Sequence, residues 1–340
     1  MAETQREVID RITAYSARVL RGMENEDLQA MGSAWREAQQ KIIELIQRAA
    51  PGDVWTLPDM QGPRMAELFQ QINHELNILN ERMIGQLEQS AVDQLAAGIE
   101  WSSYGLDQAT PAGVFAQQPS LPIENIRALV NTPYQGAMFS QRYGLITDQM
   151  SSDVRGALAQ SMINGESMAD AAARIEDVMG ADSVISSGYA NRSLAIARTE
   201  IMRAQNLGRL SSFDANKDLM AGTPEWVATA DDRICEWCLR RDGLSADEIE
   251  MEDPGDDPWG NSVNSPLHPR CRCTWVPRMK SWRELGLGDM PEDFGDDERG
   301  MRNEDGEWVF QPVESFDEWK EGRLQSFADE RAARAEARGD

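Results

Sequence analysis

One group of thiol and imidazole side chains offers the clearest chemistry in this sequence. All four cysteines and one of the two histidines fall between residues 235 and 273 of a 340-residue chain. The pattern is Cys235-x-x-Cys238 and, after a long interval, His268-x-x-Cys271-x-Cys273. Two thiolates separated by two residues can grip one ion from the same side of a tight turn, and a second pair from a distant turn completes a tetrahedron. The spacing therefore predicts a metal site, with zinc as its occupant.

Five candidate ligands compete for four positions around such an ion. The set that we favour is Cys235, Cys238, His268 and Cys271. The interval from His268 to Cys271 repeats that of the first pair, which leaves Cys273 spare, although a three-cysteine arrangement that includes Cys273 stays open. A disulfide pair is the further alternative, should the assembled protein meet an oxidising exterior.

The ligand types favour a structural metal over a catalytic one. Soft ligands supply a closed shell, and zinc deaminases need a glutamate two residues after the histidine, where this chain has Arg270. Nucleophilic catalysis by a cysteine and a histidine would leave the other three cysteines unexplained. We therefore expect the metal to hold loops together.

Charge is unevenly distributed around the cysteines. With 33 Lys and Arg against 58 Asp and Glu, the net charge of −25 disfavours a protein that coats nucleic acid by bulk electrostatics. A basic island nevertheless follows the acid-only block at 242–257. Its members of interest are Arg270, Arg272, Arg278 and Lys280. Internal charge pairing that orders the loops is the simpler interpretation, and a local contact with phosphate, DNA or an acidic partner is the alternative.

The elements that must position these residues are mainly helical. Apolar residues recur at three- and four-residue steps over 8–23, 28–46 and 65–87, so residues 1–110 are predicted to form a helical hairpin or small bundle. The proline-containing stretch 111–122 is predicted to be a linker. No segment approaches the roughly 20 apolar residues of a membrane span, so we expect a soluble chain made in the cytoplasm with no membrane contact.

Helical patterning resumes at Ile123 and reaches a stop at Asn164-Gly165. Ser167 can cap a further helix that ends at Gly180, and another helix is expected from about 187 to 210. This last helix carries a polar stripe, made of Arg198, Thr199, Glu200, Arg203 and Asn206. At 3.6 residues per turn Thr199, Arg203 and Asn206 share one face, with Glu200 within reach of Arg203. A solvated helix face is the simpler interpretation of the stripe.

The last third of the chain differs in composition, with seven of the ten tryptophans among proline, glycine and aspartate. Short strands are expected at 225–230 and 274–277. Residues 286–340 are predicted to be an acidic tail, mobile at 289–306, with a closing helix at about 315–337. The fold class expected is mainly α with a small α+β C-terminal module, in which short strands surround a cysteine-rich, metal-stapled region.

Several of these motifs occur together in one order. They are the Ala197-to-Asn206 helix, Trp226 with Ala228-Thr229 and Asp231, the Cys235-x-x-Cys238 pair with Asp242-Gly243, and His268-Pro269-x-Cys271-Arg272-Cys273. The set resembles the phage Mu F-like minor head protein family, a group of phage head morphogenesis proteins. The resemblance implies a domain at 123–285 with a cysteine module at 225–277, in which the polar stripe orders the module from beneath.

The resemblance also implies a function. It is that of a non-enzymatic, low-copy head component of a tailed phage or prophage, associated with the portal vertex and acting in head morphogenesis and DNA packaging or ejection. The partners implied are the portal protein and, further, scaffold or major capsid protein. The location implied is the virion head, after assembly in the host cytoplasm.

Two other functions remain open at this stage. One is an enzyme delivered with the genome, a transferase or nuclease that uses Arg198, Glu200 and the cysteine site. The other is a zinc-stapled nucleic-acid adaptor that places the basic island on phosphates. The missing catalytic constellation weighs against the enzyme.

Overall fold

The computed structural model describes residues 5–49, 63–110, 116–119, 121–134, 136–180, 188–229, 234–251, 258, 262–288, 298–302, 308–312 and 325. Six helices of eight residues or more run through these residues: α1 (Gln5–Ala49), α2 (Pro63–Gln108), α3 (Ile123–Val130), α4 (Phe139–Asn164), α5 (Met168–Met179) and α6 (Tyr189–Ala215). Two short helices follow, α7 (Glu236–Arg240) and α8 (Ala246–Met251). Among the described helices, none combines the length and the apolar character that crossing a membrane requires.

The two long N-terminal helices pack against each other, as the apolar stripes predict. The stripes at 8–23 and 28–46 lie on the single helix α1, because no residue between them breaks the helical pattern. The third stripe lies on α2, which continues well past residue 87. The predicted helical hairpin is therefore present, with a longer second arm than the stripe alone indicates.

The core of the molecule joins this hairpin to the later helices. One buried cluster contains Trp35 of α1, Leu87 of α2, Tyr143 of α4 and Ile201 of α6. Trp35 donates a hydrogen bond from its indole nitrogen to Ser193 Oγ at 2.8 Å, which joins α1 to α6 inside that cluster. Among the described residues, the hairpin therefore shares this core with the later helices. The predicted linker at 111–122 lies partly outside the described residues and stays a prediction.

The helix ends in the central region follow the signals in the sequence. Gly165 and Gly180 both adopt left-handed backbone angles, with φ of 62° and 64°, directly after α4 and α5. Ser167 is the N-cap of α5, where its hydroxyl accepts a hydrogen bond from the Asp170 backbone N–H at 3.2 Å. The predicted ends of these helices are thus explained by local chemistry.

Short strands complete the fold. Strands β1 (Glu225–Val227) and β2 (Thr274–Val276) pair antiparallel with Trp226 opposite Trp275, and these two rings meet edge to face at 5.2 Å between centroids. Both strands were expected from the sequence, and the mainly helical fold with a small antiparallel sheet beside the cysteines is confirmed.

The tail beyond residue 286 differs from expectation. Strands β3 (Glu298–Arg302) and β4 (Trp308–Pro312) form an antiparallel hairpin within the stretch predicted to be an acidic tail. Residues 298–302 thus form a paired strand inside the stretch predicted to be mobile, and pairing with β4 satisfies backbone groups that the local composition alone would leave to solvent. The mobility of 289–306 stays a prediction. The predicted closing helix at about 315–337 lies outside the described residues, except for Gln325.

Candidate metal centre

The first two cysteines are positioned by the start of α7. Cys235 is the N-cap residue of this helix, and its Sγ accepts a hydrogen bond from the Cys238 backbone N–H at 3.4 Å. The x-x spacing thus corresponds to one helical turn, which brings both sulfurs to the same side. A backbone N–H directed at sulfur also stabilises the thiolate that a metal requires.

The second half of the centre is a tight turn from His268 to Cys271. The Cys271 backbone N–H donates to the His268 carbonyl oxygen at 3.0 Å, and Arg270 within the turn has a positive φ of 64°. His268 Nδ1 lies 2.9 Å from the Pro269 carbonyl oxygen. A proton on Nδ1 that is donated to this oxygen leaves the Nε2 lone pair free to face the sulfurs.

Three pairs of donor atoms, each joining the two halves, lie at distances close to those between ligands of one ion. His268 Nε2 lies 3.2 Å from the Sγ atoms of both Cys235 and Cys238, and Cys238 Sγ lies 3.7 Å from Cys271 Sγ. Zinc–sulfur bonds of about 2.3 Å in a tetrahedron place two sulfurs about 3.8 Å apart. The sulfur–sulfur separation therefore matches the edge of a zinc tetrahedron, and the nitrogen–sulfur distances are slightly shorter than such an edge.

The five candidates form two overlapping groups of three. One contains Cys235, Cys238 and His268, the other contains Cys238, Cys271 and Cys273, and within each group the donor atoms lie within 4.8 Å of one another. Cys238 is the residue that the two groups share, and the favoured set of Cys235, Cys238, His268 and Cys271 does not form a single group within that distance. The structure therefore brings the five predicted ligands near one another without selecting four of them. Neither group includes an Asp or Glu of the described residues.

All four cysteines are free thiols rather than disulfides. The 3.7 Å between Cys238 Sγ and Cys271 Sγ is far longer than the roughly 2.05 Å of a disulfide bond.

The thiols influence one another's protonation. Hydrogen bonding with Cys238 and then with Cys273 lowers the pKa of Cys271, and the same contact with Cys271 raises the pKa of Cys238. Because neighbouring thiolates repel each other, one thiolate with protonated neighbours is favoured until a cation neutralises the group.

The polar stripe of α6 holds the cysteine loops at two points. Thr199 Oγ1 accepts a hydrogen bond from the Arg270 backbone N–H at 3.1 Å, inside the His268–Cys271 turn. Asn206, which is fully buried, donates to the Cys273 carbonyl oxygen at 3.2 Å and accepts from Thr274 Oγ1 at 2.9 Å. These contacts join the helix directly to the backbone on both sides of Cys271.

Glu200 and Arg203 belong to a buried charge network next to the module. Glu200 is 3% exposed and binds Arg142 at 2.8 Å and Arg203 at 3.2 Å, one arginine on each carboxylate oxygen. Both guanidinium groups lie over the ring of Tyr134, whose hydroxyl donates to the Pro266 carbonyl oxygen two residues before His268. Burial raises the pKa of Tyr134 to about 12, so this phenol stays protonated as a donor.

Sequence reasoning missed Tyr134 and Arg142. Tyr134 follows Pro133 in a loop and Arg142 lies on α4, and no periodicity or spacing relates either residue to Glu200 on α6. Arg198 occupies a different position from the rest of the stripe, because its Nε donates to Glu24 Oε1 of α1 at 2.7 Å. The stripe therefore serves two neighbours, the cysteine module and α1.

The basic island is dispersed rather than gathered into one surface. Arg270 donates to Asn191 Oδ1 at 2.6 Å, Lys280 donates to the Asp218 carbonyl oxygen at 2.7 Å, and Arg278 lies 3.9 Å from Glu248. Arg272 lines a separate cleft beside β1 and β2. Contacts within the chain thus engage Arg270, Arg278 and Lys280, and Arg272 also has an interaction within the chain.

Comparison with known proteins adds a family to this geometry. Residues 152–276 match the family model described as Phage Mu protein F like protein, a range that starts in α4 and ends with β2. A curated protein of Enterococcus faecalis (strain ATCC 700802 / V583), NAD(+)--arginine ADP-ribosyltransferase EFV, is 23% identical over 274 residues, which cover 78% of this chain. The chain spans about half the length of that relative, 50%.

No solved structure matches the chain. The matched range contains the whole of α6 with its polar stripe, the α7 turn, the His268–Cys271 turn and the β1–β2 pair, which are the elements that build the candidate metal centre. Residues 152–276 of the chain are thus similar to the phage Mu protein F like family, and the similarity covers the elements that build the candidate metal centre.

Proposed function

We propose that this protein is a minor head protein of a tailed bacteriophage or prophage, associated with the portal vertex and acting in head morphogenesis and in DNA packaging or ejection. The observation that carries the proposal is the family match over residues 152–276. It is supported by the structure of that range, where a helix and a cysteine cluster order loops with no catalytic carboxylate among the described cluster residues. We place the protein in the virion head, after assembly in the host cytoplasm.

The partner that we propose is the portal protein, with scaffold or major capsid protein as further partners. The helices α1 and α2 are about 45 residues each and place apolar side chains such as Tyr15, Val19 and Ile78 at the surface, 36–51% exposed. Long helices of this kind present an extended face on which a ring-shaped partner can be held.

Co-expression with the portal protein of the same phage tests this proposal. We expect the two to co-migrate by size separation at a fixed low ratio of this chain to each portal ring. Removal of residues 1–100 is a poor test, because α2 shares its core with α6 and the remainder would expose that core. Substitution of Tyr15 and Val19 by serine is sharper, with Leu145→Ser on the exposed face of α4 as the matched control. A folded chain that never co-migrates with portal would contradict the proposal.

We further propose zinc as the ion of the centre, held by Cys235, Cys238, His268 and Cys271 in a structural role. When bound, zinc would fix two loops that bury little core of their own. Metal analysis of reduced protein should give about one zinc per chain, on the four-ligand rule. Cys235→Ser should lose it and destabilise residues 225–277, whereas Cys273→Ser should keep it. Loss of zinc in Cys273→Ser with retention in Cys235→Ser would reverse our ligand assignment.

A second candidate function is an ADP-ribosyltransferase, and the curated relative is the observation that favours it. Glu200, the carboxylate first considered for catalysis, is buried with both oxygens in ion pairs, which suits an ordering role better than proton transfer. Release of nicotinamide from NAD⁺, with free arginine as acceptor, decides between the two. We expect none, and a turnover that Glu200→Gln abolishes while the fold is retained would establish the enzyme.

The adaptor hypothesis predicts DNA binding with a steep salt dependence that weakens when the basic island is removed. The contacts of Arg270, Arg278 and Lys280 within the chain favour internal pairing instead. We therefore expect Arg278→Gln and Lys280→Gln together to leave any DNA binding unchanged, as measured by a salt titration.

A further inference from the structure

An open cleft of about 690 Å³ lies where α1, α6 and the β1–β2 pair meet, on the side of α6 that holds Arg198. The α6 wall is formed by Arg198, Met202, Gln205 and Arg209, which recur at three- and four-residue steps and so share one helix face. The volume is in the usual range for sites that bind small molecules. This cleft is separate from the cysteine cluster, whose ligands do not line it.

Arginine dominates the lining, although the chain as a whole is strongly acidic. The cleft arginines are Arg6, Arg18, Arg21, Arg198, Arg209 and Arg272. Two of them are neutralised inside the molecule, since Arg6 binds Glu225 through two hydrogen bonds of 2.9 and 3.0 Å and Arg198 binds Glu24 at 2.7 Å. With a chain net charge of −25, bulk composition does not explain this local excess.

The acids of the cleft are already occupied. Glu24 and Glu225 bind the arginines just named, Asp10 also binds Arg6 at 3.0 Å, and Asp242 accepts a hydrogen bond from the Ala228 backbone N–H at 2.8 Å. Within the part of the chain that the structure describes, no carboxylate forms an ion pair with Arg18, Arg21 or Arg209. The charges of these three guanidinium groups are thus not balanced by a carboxylate among the described residues, although Arg18 also lies over the ring of Tyr15, 5.6 Å from its centroid.

Arg209 is the most informative of the three. It is 3% exposed, its Nη2 donates to Ser16 Oγ at 3.0 Å, and its Nε has no hydrogen-bond partner among the described atoms. Burial lowers its pKa to about 10, so the group is still charged at neutral pH. A buried charge without a counter-ion is among the costliest arrangements in a folded protein, and a bound anion would offset that cost.

We propose that this cleft binds the phosphate group of an organic phosphate. Arg18 and Arg21 lie three residues apart on α1 and approach from the exposed side, while Arg209 forms part of the buried wall. Several guanidinium forks around one pocket suit a phosphate, which offers three or four acceptor oxygens and up to two charges, better than a single carboxylate. The phosphate could come from a free nucleotide or from the 5′ end of a DNA strand.

Calorimetric titration of the full chain at constant ionic strength tests this proposal. The probes are inorganic phosphate, adenosine diphosphate, duplexes with and without a 5′ phosphate, and malonate as the carboxylate control. Binding of adenosine diphosphate alone identifies a free nucleotide as the source, and binding of the duplex only when it carries a 5′ phosphate identifies a DNA end. Failure of every phosphate probe at millimolar concentration, or equal binding of malonate, overturns the proposal.

Two variants connect the binding to these arginines. Arg18→Gln with Arg21→Gln changes exposed side chains only, and should weaken phosphate binding roughly a hundredfold, as expected for the loss of two charge-assisted hydrogen bonds at roughly tenfold each. Arg209→Met should abolish binding without lowering the unfolding temperature, because it removes a buried charge that has no carboxylate partner among the described residues. Arg11→Gln, on the same helix but outside the cleft, is the matched control. Unchanged affinity in both cleft variants would show that any phosphate binds elsewhere and would overturn the assignment.

Discussion

The contact between α2 and α6 gives a prediction whose sign can be worked from the structure. A Cβ added to Gly208 of α6 would lie 2.1 Å from the Leu95 carbonyl oxygen and 3.0 Å from the Ile99 backbone nitrogen. In the opposite direction, a Cβ on Gly98 of α2 would lie 2.4 Å from the Gln205 carbonyl oxygen. Each helix therefore presents a glycine to the other's backbone, and backbone atoms cannot rotate away as a side chain can.

The size of the effect follows from two opposing terms. Replacing glycine by alanine within a helix stabilises by about 1 kcal/mol when nothing else changes. Carbon and oxygen atoms need roughly 3.3 Å between them, so Gly208→Ala must push the two helices apart by about 1 Å. Overpacking of this kind costs about 1–3 kcal/mol and sometimes more. Set against the gain from alanine, this cost leaves a net decrease of about 1 kcal/mol in the free energy of unfolding for Gly208→Ala.

Gly156 provides the matched control. It lies on the exposed side of α4 with nothing within 4 Å of the added Cβ, so Gly156→Ala should raise the free energy of unfolding by about 1 kcal/mol. Denaturant unfolding followed by helical circular dichroism measures both variants, and metal content of Gly208→Ala reports whether the shift of α6 reaches Asn206 and the cysteines. If Gly208→Ala is as stable as Gly156→Ala, the close helix contact is wrong.

Substitutions at three further residues test the network around the cysteines and the central helices. Asn206→Ala removes one hydrogen bond to the Cys273 carbonyl oxygen and one from the Thr274 hydroxyl. It should therefore lower the free energy of unfolding, measured with denaturant, by about 2 kcal/mol. An unchanged free energy would contradict the supporting role of the stripe. Glu200→Ala leaves Arg142 and Arg203 with an uncompensated charge and should lower the free energy of unfolding by about 3 kcal/mol. The loss should be larger than that caused by Glu200→Gln, and a larger loss in Glu200→Gln would contradict this prediction. Hydrogen bonds from Arg174 and then Asn164 lower the pKa of Glu166 from 4.5 to about 2. The wild type should therefore be more stable than Glu166→Gln near neutral pH, and this difference should disappear as the pH falls from 4.5 to about 2. A difference in thermal unfolding that does not change with pH would contradict this prediction.

Much of the local structure could be predicted because the responsible signals are local. The apolar stripes predict α1 and α2, Ser167 and Gly180 set the ends of α5, and the spacing of Cys235 and Cys238 corresponds to one helical turn. The same holds for the five candidate ligands, since cysteine and histidine in paired spacings have few other uses in a chain without disulfides.

Contacts between distant segments could not be predicted, because no local pattern encodes them. Sequence alone does not show that Tyr134 and Arg142 enclose Glu200, or that Arg198 turns away from the cysteine module to bind Glu24. The β3–β4 hairpin was not predicted, because the acidic composition of this stretch indicates exposure to solvent and does not indicate which residues pair.

The sequence by itself determined the helical class, the helix ends and the types of ligand in the candidate centre, because periodicity, capping and donor chemistry act over a few residues. Only the tertiary structure decided that the N-terminal hairpin shares its core with α6 and that arginines distant in the chain line one cleft. The physical reason is that burial and charge pairing depend on distance in space. Only packing brings Arg18, Arg209 and Arg272 to one place and leaves Arg209 buried without a carboxylate partner among the described residues.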